Sequence, residues 1–426
     1  MILLIIIILC IIIFFLLKSV FKNEIFNPIF FANTYWIAIL FFSTLFSSIF
    51  NLEFSYSGIF PLFLLLFSFS AGALLFYKKY SLKTEVSANK EIEKINIYVY
   101  IIIFFSILSL LSIYLQFKFL NLKLKSVLNL YKTANYISVL RYSEKPVTSR
   151  GGQLLTSFIY CGAFFGGYIF LLAKKIKLKL VSVLPILISI LYSFINGVKL
   201  PFFSAVFFWT SSLISYSIYK YNGLIKLTFK HIKYLLIGAI AILFIFTTTQ
   251  KFRSGSADTK FNPEHIYLSY FSSLNAFTIW WENYHFDGIT PFKYTLSGIH
   301  NLIFHDRKSG LFTEIVILKK NPVVQTNVYT IFRAFIEDYS LPISMIIFFL
   351  LGYIFSLSYE KTKQGFWLYF IINSFFITNL LWSIVTILTT YNTMIFSWIV
   401  IIVTFIVIKI KILFKEKYII KLNLKI

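Results

Sequence analysis

The sequence predicts an all-α polytopic membrane protein with about 11 transmembrane helices and two long extracytoplasmic loops, one large and one medium. Only 13% of the 426 residues are charged, whereas soluble globular domains contain roughly a quarter. The mean hydropathy is +0.81. The apolar residues also occur in uninterrupted runs of about 16 to 23 residues, the length needed to cross a bilayer. These properties exclude a water-soluble globular protein.

Eleven apolar runs define the predicted spans. The hydrocarbon core contains no water, so each backbone amide must find its partner inside the segment, and runs of this length are expected to be helices. In chain order the spans cover residues 2–17, 31–50, 59–77, 95–117, 154–173, 180–196, 201–219, 234–249, 341–358, 366–388 and 393–410.

The basic residues predict the orientation of the spans. Of the 40 Lys and Arg residues, 23 follow odd-numbered spans (Lys409, at the end of the last span, included), and the short segments after spans 2, 6 and 10 contain one. Basic residues accumulate on the cytoplasmic side, which places the N-terminus outside and the C-terminal tail inside. The same rule explains the net charge of +24 without a nucleic-acid partner.

This topology divides the chain into six regions. They are helices 1–4 over 1–117, a medium extracytoplasmic loop over 118–153, helices 5–8 over 154–249, a large extracytoplasmic loop over 250–340, helices 9–11 over 341–410 and a cytoplasmic tail over 411–426. Within the large loop, Asn262-Pro263-Glu264 predicts the start of a helix that continues to Trp280.

The arginines are the most informative charged residues. The chain contains 35 lysines and 5 arginines, and all five arginines lie on the predicted outer side: Arg141, Arg150, Arg253, Arg307 and Arg333. Arginine binds phosphate and carboxylate groups with two parallel hydrogen bonds, so this segregation favours an anionic ligand. The alternative is that lysines crowd the cytoplasmic rim for topology and the arginines have no common role.

Other reactive side chains are concentrated in the large loop. It contains four of the five histidines and 8 of the 16 acidic residues, while the predicted spans contain no Asp or Glu. Ion-coupled transporters usually keep ionisable groups at membrane depth, so this absence disfavours transport. The histidines lack metal-ligand spacing, and nucleotide-binding and nucleophile-elbow motifs are missing. A lipid-linked diphosphate fits this inventory, because it needs neither cofactor nor metal: guanidinium groups can neutralise the charge of the leaving group.

Four stretches of the chain carry a resemblance to a known family. They are Ile137-Ser138-Val139-Leu140-Arg141-Tyr142 with Gly151-Gly152-Gln153-Leu154; the tight turn Ile195-Asn196-Gly197-Val198-Lys199; Gln250-Lys251-Phe252-Arg253-Ser254-Gly255 with 267–277; and Thr326-Asn327-Val328-Tyr329-Thr330 with Glu337-Asp338-Tyr339-Ser340 and Leu351-Gly352-Tyr353. In order and spacing the chain resembles the bacterial oligosaccharide repeat-unit polymerases, the O-antigen or capsule polymerases of the Wzy type. The likeness covers roughly residues 137–360.

The resemblance implies a membrane glycosyltransferase of GT-C-like architecture in the bacterial inner membrane. Such an enzyme transfers a growing glycan from undecaprenyl diphosphate to a new lipid-linked repeat unit at the outer leaflet, with inversion and without nucleotide sugar or metal. It also implies a chain-length regulator as a partner. The remaining hypotheses are a glycan ligase, a lipid-oligosaccharide flippase or other transporter, and a structural membrane subunit without activity.

The resemblance assigns the diphosphate to Arg141 and Arg253. Snorkelling to the membrane surface is the alternative for Arg253, which follows a span directly. Lys199 occupies the place where relatives often have the arginine of Gly-x-Arg, and it supplies charge without a two-pronged grip. Tyr339-Ser340 replaces the usual Phe-Gly after the aspartate.

Further candidates lie in the large loop. A general base must take the proton of the attacking hydroxyl, and Asp338, Glu282 and His300 are the candidates, although Asp338 can instead charge a helix N-terminus. Arg333 either binds diphosphate or pairs with Glu337 at i,i+4. Asn327 and Tyr329 are candidates for sugar binding, with loop packing as the alternative. The candidate substrate-binding residues are Lys199, His300, Asn327, Tyr329, Arg333 and Glu282, and the candidate catalytic residues are Arg141, Arg253 and Asp338.

Overall fold

The computed structural model describes most of the chain. The described residues are 2–21, 24–80, 95–123, 129–143, 145–223, 229–255, 264, 267–268, 271–304, 311–321 and 323–423. Over these ranges the chain is mainly helical, with one small antiparallel sheet in the large loop. The predicted helix start at 262–263 and the residues His265, His305 and Arg307 lie outside the described ranges.

Each predicted span coincides with a helix. These helices are α1 (Ile2–Phe21), α2 (Pro28–Phe50), α3 (Ile59–Tyr80), α4 (Ile95–Phe119), α6 (Arg150–Phe170), α7 (Ile176–Asn196), α8 (Leu200–Tyr221), α9 (Phe229–Ser254), α12 (Ile331–Lys363), α13 (Trp367–Trp382) and α14 (Asn392–Asn423). Three shorter helices lie in the predicted loops: α5 (Leu130–Tyr142), α10 (Ser272–Glu282) and α11 (Ser297–Phe304). The strands β1 (Val316–Lys319) and β2 (Val324–Thr326) pair in the large loop.

The helices define a multi-pass membrane protein. Eight of the described helices are long and apolar enough to cross a bilayer, namely α2, α3, α4, α6, α7, α8, α12 and α14. The all-α polytopic class is therefore confirmed in this form, and the number of about 11 crossings stays a prediction. The tenth predicted span was too long: α13 ends at Trp382 after 16 residues, and a short 3₁₀ helix, Leu388–Thr390, follows.

The structure gives a reason for the early end of α13. The carbonyl of Ser383 accepts a hydrogen bond from the backbone N–H of Ile331 (2.8 Å), and the Thr389 hydroxyl donates to the carbonyl of Thr295. The backbone carbonyl of Ser383 and the side chain of Thr389 thus bond to residues of the large loop, where α13 has already ended. Hydropathy does not detect this change, because the segment stays apolar.

Helix α12 consists of two arms joined at Ser340. Ser340 has φ 70° and ψ 165°, a conformation that essentially only glycine adopts without strain. Pro342 follows two residues later and cannot donate a helical hydrogen bond. The second arm begins where the ninth span was predicted, at residue 341, and the first arm (331–339) turns back towards the bundle.

The connections between helices separate into two ends of the bundle. At one end, Glu53 N–H bonds to the carbonyl of Leu318 (2.8 Å), and the Asn135 side chain donates to the carbonyl of Arg253 (3.0 Å). At the other, Lys363 pairs with Glu24 (3.0 Å). We call the first the loop end. Among the described residues it contains 51–58, 120–123, 129–143, 145–149, 197–199, 271–304, 311–321, 323–330 and 383–391.

Two aromatic cores hold the bundle together. One lies between α4, α6, α7, α8, α13 and α14, and the other joins α2, α3 and α12 to the large loop through α10. In the second core α3 and α12 approach so closely that a β-carbon on Gly72 would overlap the carbonyl oxygen of Phe349, and one on Gly352 that of Phe69. Such small residues allow membrane helices to pack backbone against backbone.

Candidate functional site

Arg141 and Arg253 come together at the loop end. Arg141 lies in the last turn of α5, and its Nη2 donates to Oδ1 of Asn196, the last residue of α7, at 3.3 Å. Arg253 lies in the last turn of α9. Gly197 lies between them, next to Asn196 in the chain: a β-carbon built on Gly197 would be 3.3 Å from Arg253 Cβ. We call Arg141, Asn196, Gly197 and Arg253 the arginine cluster.

The turn after α7 has the geometry that this cluster requires. Gly197 ends the helix in the left-handed conformation (φ 59°), which glycine adopts at no steric cost. A β-carbon would also lie 2.5 Å from the Ser138 hydroxyl on α5. Any larger residue would therefore push α5 away from α7, and with it Arg141.

A pair of amides fixes Asn196. Gln116 on α4 donates to Asn196 Oδ1 at 2.7 Å, and Asn196 Nδ2 is within 3.3 Å of Gln116 Oε1 and 2.9 Å of the Tyr192 carbonyl. Both amides are almost completely buried. The oxygen that Arg141 contacts is thus held in place from two further helices, α4 and α7.

The electrostatics of the cluster favour an anion. Burial lowers the pKa of Arg141 below its ordinary value, Tyr192 opposes this change, and the charge of Arg253 lowers the pKa further. Arginine nevertheless stays protonated in proteins. Among the described residues, Arg141 has no carboxylate partner within ion-pair distance. Two repelling guanidinium groups near a neutral amide are suited to bind a group with more than one negative charge.

Lys199 belongs to the same turn but points towards α9. Its Nζ lies 2.9 Å from the centroid of the Phe246 ring, and burial lowers its pKa to about 7. At neutral pH the amine is therefore only partly charged. This property distinguishes Lys199 from the two arginines and makes it a poor substitute for a permanent cation.

Arg333 has a different environment from the arginine cluster. It is 2% exposed, its Nη2 contacts Glu314 at 2.5 Å and Glu337 at 3.0 Å, and the i,i+4 pairing expected from the sequence is present. The guanidinium carbon also lies 4.1 Å from the ring centroids of both Phe312 and Tyr329. Arg333 thus fastens the large loop to the first arm of α12.

Tyr329 takes part in the same contact. Its hydroxyl donates to the carbonyl of Glu314 at 3.1 Å, and its side chain is 2% exposed. Burial raises the pKa of Tyr329, while the charge of Arg333 opposes the rise. Loop packing, the alternative that the sequence left open, accounts for this tyrosine.

Asp338 is buried and fully occupied by hydrogen bonds. Its carboxylate accepts from the backbone N–H groups of Tyr294 (3.0 Å) and Thr295 (2.8 Å) and from the Thr295 hydroxyl (2.7 Å). The Thr290 N–H bonds to the backbone carbonyl of Asp338 at 3.0 Å. The residue anchors the turns before α11, and this arrangement gives no support to its assignment as a base.

The other candidates of the large loop lie apart. Glu282, at the end of α10, accepts hydrogen bonds from the hydroxyls of Ser55 and Ser57. The His300 ring lies 4.5 Å from that of Phe304 within α11, and Asn327 is exposed between β2 and α12. None of these contacts involves α5, α7 or α9, the helices on which the arginine cluster is built.

Sequence reasoning missed Gln116 and Asn135. A buried amide at the loop end of an otherwise apolar span was the available signal for Gln116. No group of three His, Cys, Asp or Glu residues in the described part of the chain is placed to hold a metal ion. Comparison of the chain with protein-family models, with curated proteins and with solved structures finds no match. The fold and its sites define a multi-pass α-helical membrane protein with a basic cluster at one end.

Proposed function

We propose that the protein polymerises lipid-linked oligosaccharide repeat units, as the likeness to O-antigen and capsule polymerases implies. The donor is a glycan on undecaprenyl diphosphate, and the acceptor is a new repeat unit on the same type of lipid. The acceptor hydroxyl forms a bond to the anomeric carbon of the donor while the bond to the diphosphate breaks. The diphosphate leaves with the bonding electrons and takes up the proton that the acceptor hydroxyl loses.

The observation that carries this proposal is the arginine cluster. Arg141 and Arg253, 112 positions apart in the sequence, meet around one turn at one end of a membrane bundle. Diphosphate carries several negative charges at a membrane surface, and guanidinium groups are the side chains best suited to bind it. Charge that develops as the diphosphate departs is stabilised without reorganisation of the site.

The other candidate residues have different weights in this proposal. We assign the diphosphate to Arg141 and Arg253 and no catalytic role to Asp338, because its carboxylate anchors a turn. Arg333 and Tyr329 belong to the packing of the large loop. His300, Asn327 and Glu282 remain candidates for contacts with the sugars. Lys199 lies next to the cluster, and its amine is only partly charged near neutral pH.

The proposal includes a cellular place. The protein belongs to the bacterial inner membrane, with the loop end and the N-terminus outside, the C-terminal tail in the cytoplasm, and a chain-length regulator as a possible protein partner. Reporter fusions after residues 141 and 253 should be active only outside the cytoplasm. If both fusions were active in the cytoplasm instead, Arg141 and Arg253 would lie on the cytoplasmic side, and they could not serve a reaction at the outer leaflet.

The decisive experiment supplies purified protein with lipid-linked repeat units. We expect a ladder of longer glycans. Arg141→Lys and Arg253→Lys keep the charge and remove the two-pronged grip, so each should lower the rate by tenfold or more. Arg150→Lys is the matched control, because Arg150 is exposed in the first turn of α6 and lies outside the cluster.

Three outcomes contradict the proposal. Ladder formation that is equally fast in the Arg141→Lys, Arg253→Lys and Arg150→Lys variants would remove the arginine cluster from the mechanism. Attachment of a single glycan to a different acceptor, without a ladder, would identify a ligase instead. Movement of the intact lipid-linked unit across the bilayer without bond formation would identify a flippase.

A further inference from the structure

An apolar cavity lies among helices that do not carry the arginine cluster. It has a volume of about 490 Å³ and is bounded by α2, α3, α12, α13 and the turns before α11. Trp36, Phe69, Phe348, Leu351 and Phe376 form much of its wall. This volume is within the range of roughly 300–1,000 Å³ that small-molecule sites occupy.

The polar residues that border the cavity lie towards the loop end. They are Thr295, Asn379, Ser383 and Thr389. Phe355 borders it farther along α12, eight residues and about 12 Å of helix rise beyond Ile347. An apolar space that follows α12 over this distance can hold the apolar chain of a lipid whose head group stays at the loop end.

Strained backbone is concentrated at the loop end of the cavity. Five non-glycine residues of the described chain have positive φ, and three of them are asparagines, which tolerate this conformation. The other two are Phe292 (φ 67°) and Ser340 (φ 70°). Phe292 lines the mouth of the cavity and is 54% exposed, and Tyr339, next to Ser340, lines the same mouth. Such strain is typical of functional sites.

The charge near the mouth differs from that of the arginine cluster. Lys293 follows Phe292 and is exposed. Arg333, on the first arm of α12, is already held by Glu314 and Glu337. None of the helices that carry Arg141, Asn196 or Arg253 lines the cavity. The described part of the loop end therefore has paired arginines in one place and, in another, an exposed lysine next to a residue that lines the apolar cavity.

We propose that the cavity binds the polyisoprenyl chain of the acceptor, with the acceptor diphosphate next to Lys293. This inference rests on the proposed polymerase function, because that reaction requires two lipid-linked diphosphates at one membrane face. The donor diphosphate departs, which suits the paired arginines. The acceptor diphosphate remains attached to its glycan, so a fixed tail and a single cation are sufficient to hold it.

Neighbouring leucines provide the test. Leu351 lines the cavity, whereas Leu350 is 51% exposed and does not line it. Leu351→Trp fills the cavity, and Leu350→Trp is the matched control. Purified full-length protein in detergent is titrated with sugar-free undecaprenyl diphosphate, and the bound molecules are counted by native mass spectrometry. We expect two per chain in the wild type and the control, and one in Leu351→Trp.

Additional variants keep the test decisive. Leu380→Trp fills the cavity from α13 if Leu351→Trp does not fold, and the Arg141→Ala/Arg253→Ala double variant should remove the other bound molecule. Two bound molecules in both folded cavity-filling variants would overturn the proposal. The proposal would also be overturned if phosphatidylglycerol displaced both bound undecaprenyl diphosphate molecules equally well, because the cavity would then be an ordinary site for bilayer lipids.

The binding test is separate from the polymerisation test. If the wild type binds two polyisoprenyl diphosphates but makes no ladder, the cavity assignment stands and the polymerase function fails. If Leu351→Trp makes the ladder with the same KM for the repeat unit as Leu350→Trp, the polymerase function stands and the cavity assignment fails.

Discussion

The rings of Phe332 and Phe348 are 5.4 Å apart, although both residues belong to α12 and are separated by 16 positions. In a straight helix this separation corresponds to about 24 Å. The Phe335 ring also lies 5.1 Å from that of Phe348. The first arm of α12 therefore folds back on the second, and it carries Arg333 and Asp338 into the end of the bundle.

Replacement of Ser340 by glycine is expected to stabilise the protein. The reversal of α12 requires φ 70° at this position, and such a conformation costs a non-glycine residue about 1–3 kcal/mol. Part of this gain is offset by the greater freedom of glycine in the unfolded chain, so we expect a net gain of about 1 kcal/mol. Thermal unfolding in detergent measures it.

Ser356→Gly is the matched control for that prediction. Ser356 lies within the regular second arm of α12, where glycine should destabilise by roughly 0.5–1 kcal/mol. If both glycine variants lose stability to the same extent, Ser340 is not strained in the folded protein.

The Arg333 contact should contribute strongly to the order of the large loop. Arg333→Met leaves the partly buried Glu337 without its cation, and loss of one partner of a buried pair costs about 3–5 kcal/mol. Glu314→Gln should cost less than about 1 kcal/mol, because the Glu314 side chain is 66% exposed. Unfolding temperature and the rate of proteolysis within the loop report the two effects. Similar losses in the two variants would contradict this account.

The apolar runs were sufficient to predict the helices because membrane insertion is a local requirement on each segment. They did not predict where a backbone leaves the helix. Residues 383–391 stay apolar, yet Ser383 bonds to Ile331 across the structure. The first arm of α12 contains charged residues, which predict a loop. In the structure its aromatic face packs inside the bundle.

The sites show the same division between local and distant information. The Arg333–Glu337 pair follows from i,i+4 spacing, and the turn at Asn196-Gly197 follows from its residues. The partners of Asn196 do not: Gln116 is 80 positions away and Arg141 is 55. Asp338 is a candidate base in the sequence because it is a carboxylate near a helix, and only its four hydrogen-bond donors, all distant in sequence, reveal an anchoring role.

Gly352→Ala should destabilise the contact between α3 and α12. The added methyl group would overlap the Phe69 carbonyl, so the helices must separate, at an expected cost of about 1–3 kcal/mol. Gly151→Ala is the matched control, since a β-carbon there meets no atom within 4 Å. It should be neutral or slightly stabilising in a helix. Equal unfolding temperatures for the two variants would show that the close approach is absent.

Gln116→Leu tests whether the amide pair positions Arg141. The substitution preserves the size of the side chain and removes both bonds to Asn196, so Arg141 loses its fixed contact. Small displacements of a catalytic group reduce rates by up to roughly a hundredfold, and we expect a loss of tenfold or more in kcat of polymerisation. Ser109→Ala removes a buried hydroxyl elsewhere on α4 and should retain the wild-type kcat. If Gln116→Leu lowered the stability of the protein but not kcat, Gln116 would contribute to packing only.

Lys199 should make stability depend on pH above neutrality. Burial lowers the pKa of Lys199 to about 7 in the folded protein from an ordinary value of 10.5. Between these two values the unfolded chain binds a proton that the folded chain has lost, so stability rises with pH, by at most about 1.4 kcal/mol per pH unit. Below pH 7 both states carry the proton and this contribution becomes constant.

Lys199→Met removes this dependence. The variant should be more stable than the wild type at pH 7.5, and its free energy of unfolding should change less between pH 7.5 and 9.5. Lys177→Met is the control, because Lys177 is exposed at the start of α7 and should leave the slope unaltered. Equilibrium unfolding across this pH range measures both. An identical slope in the wild type and Lys199→Met would mean that the amine titrates as it does in water, and that contact with Phe246 does not desolvate it.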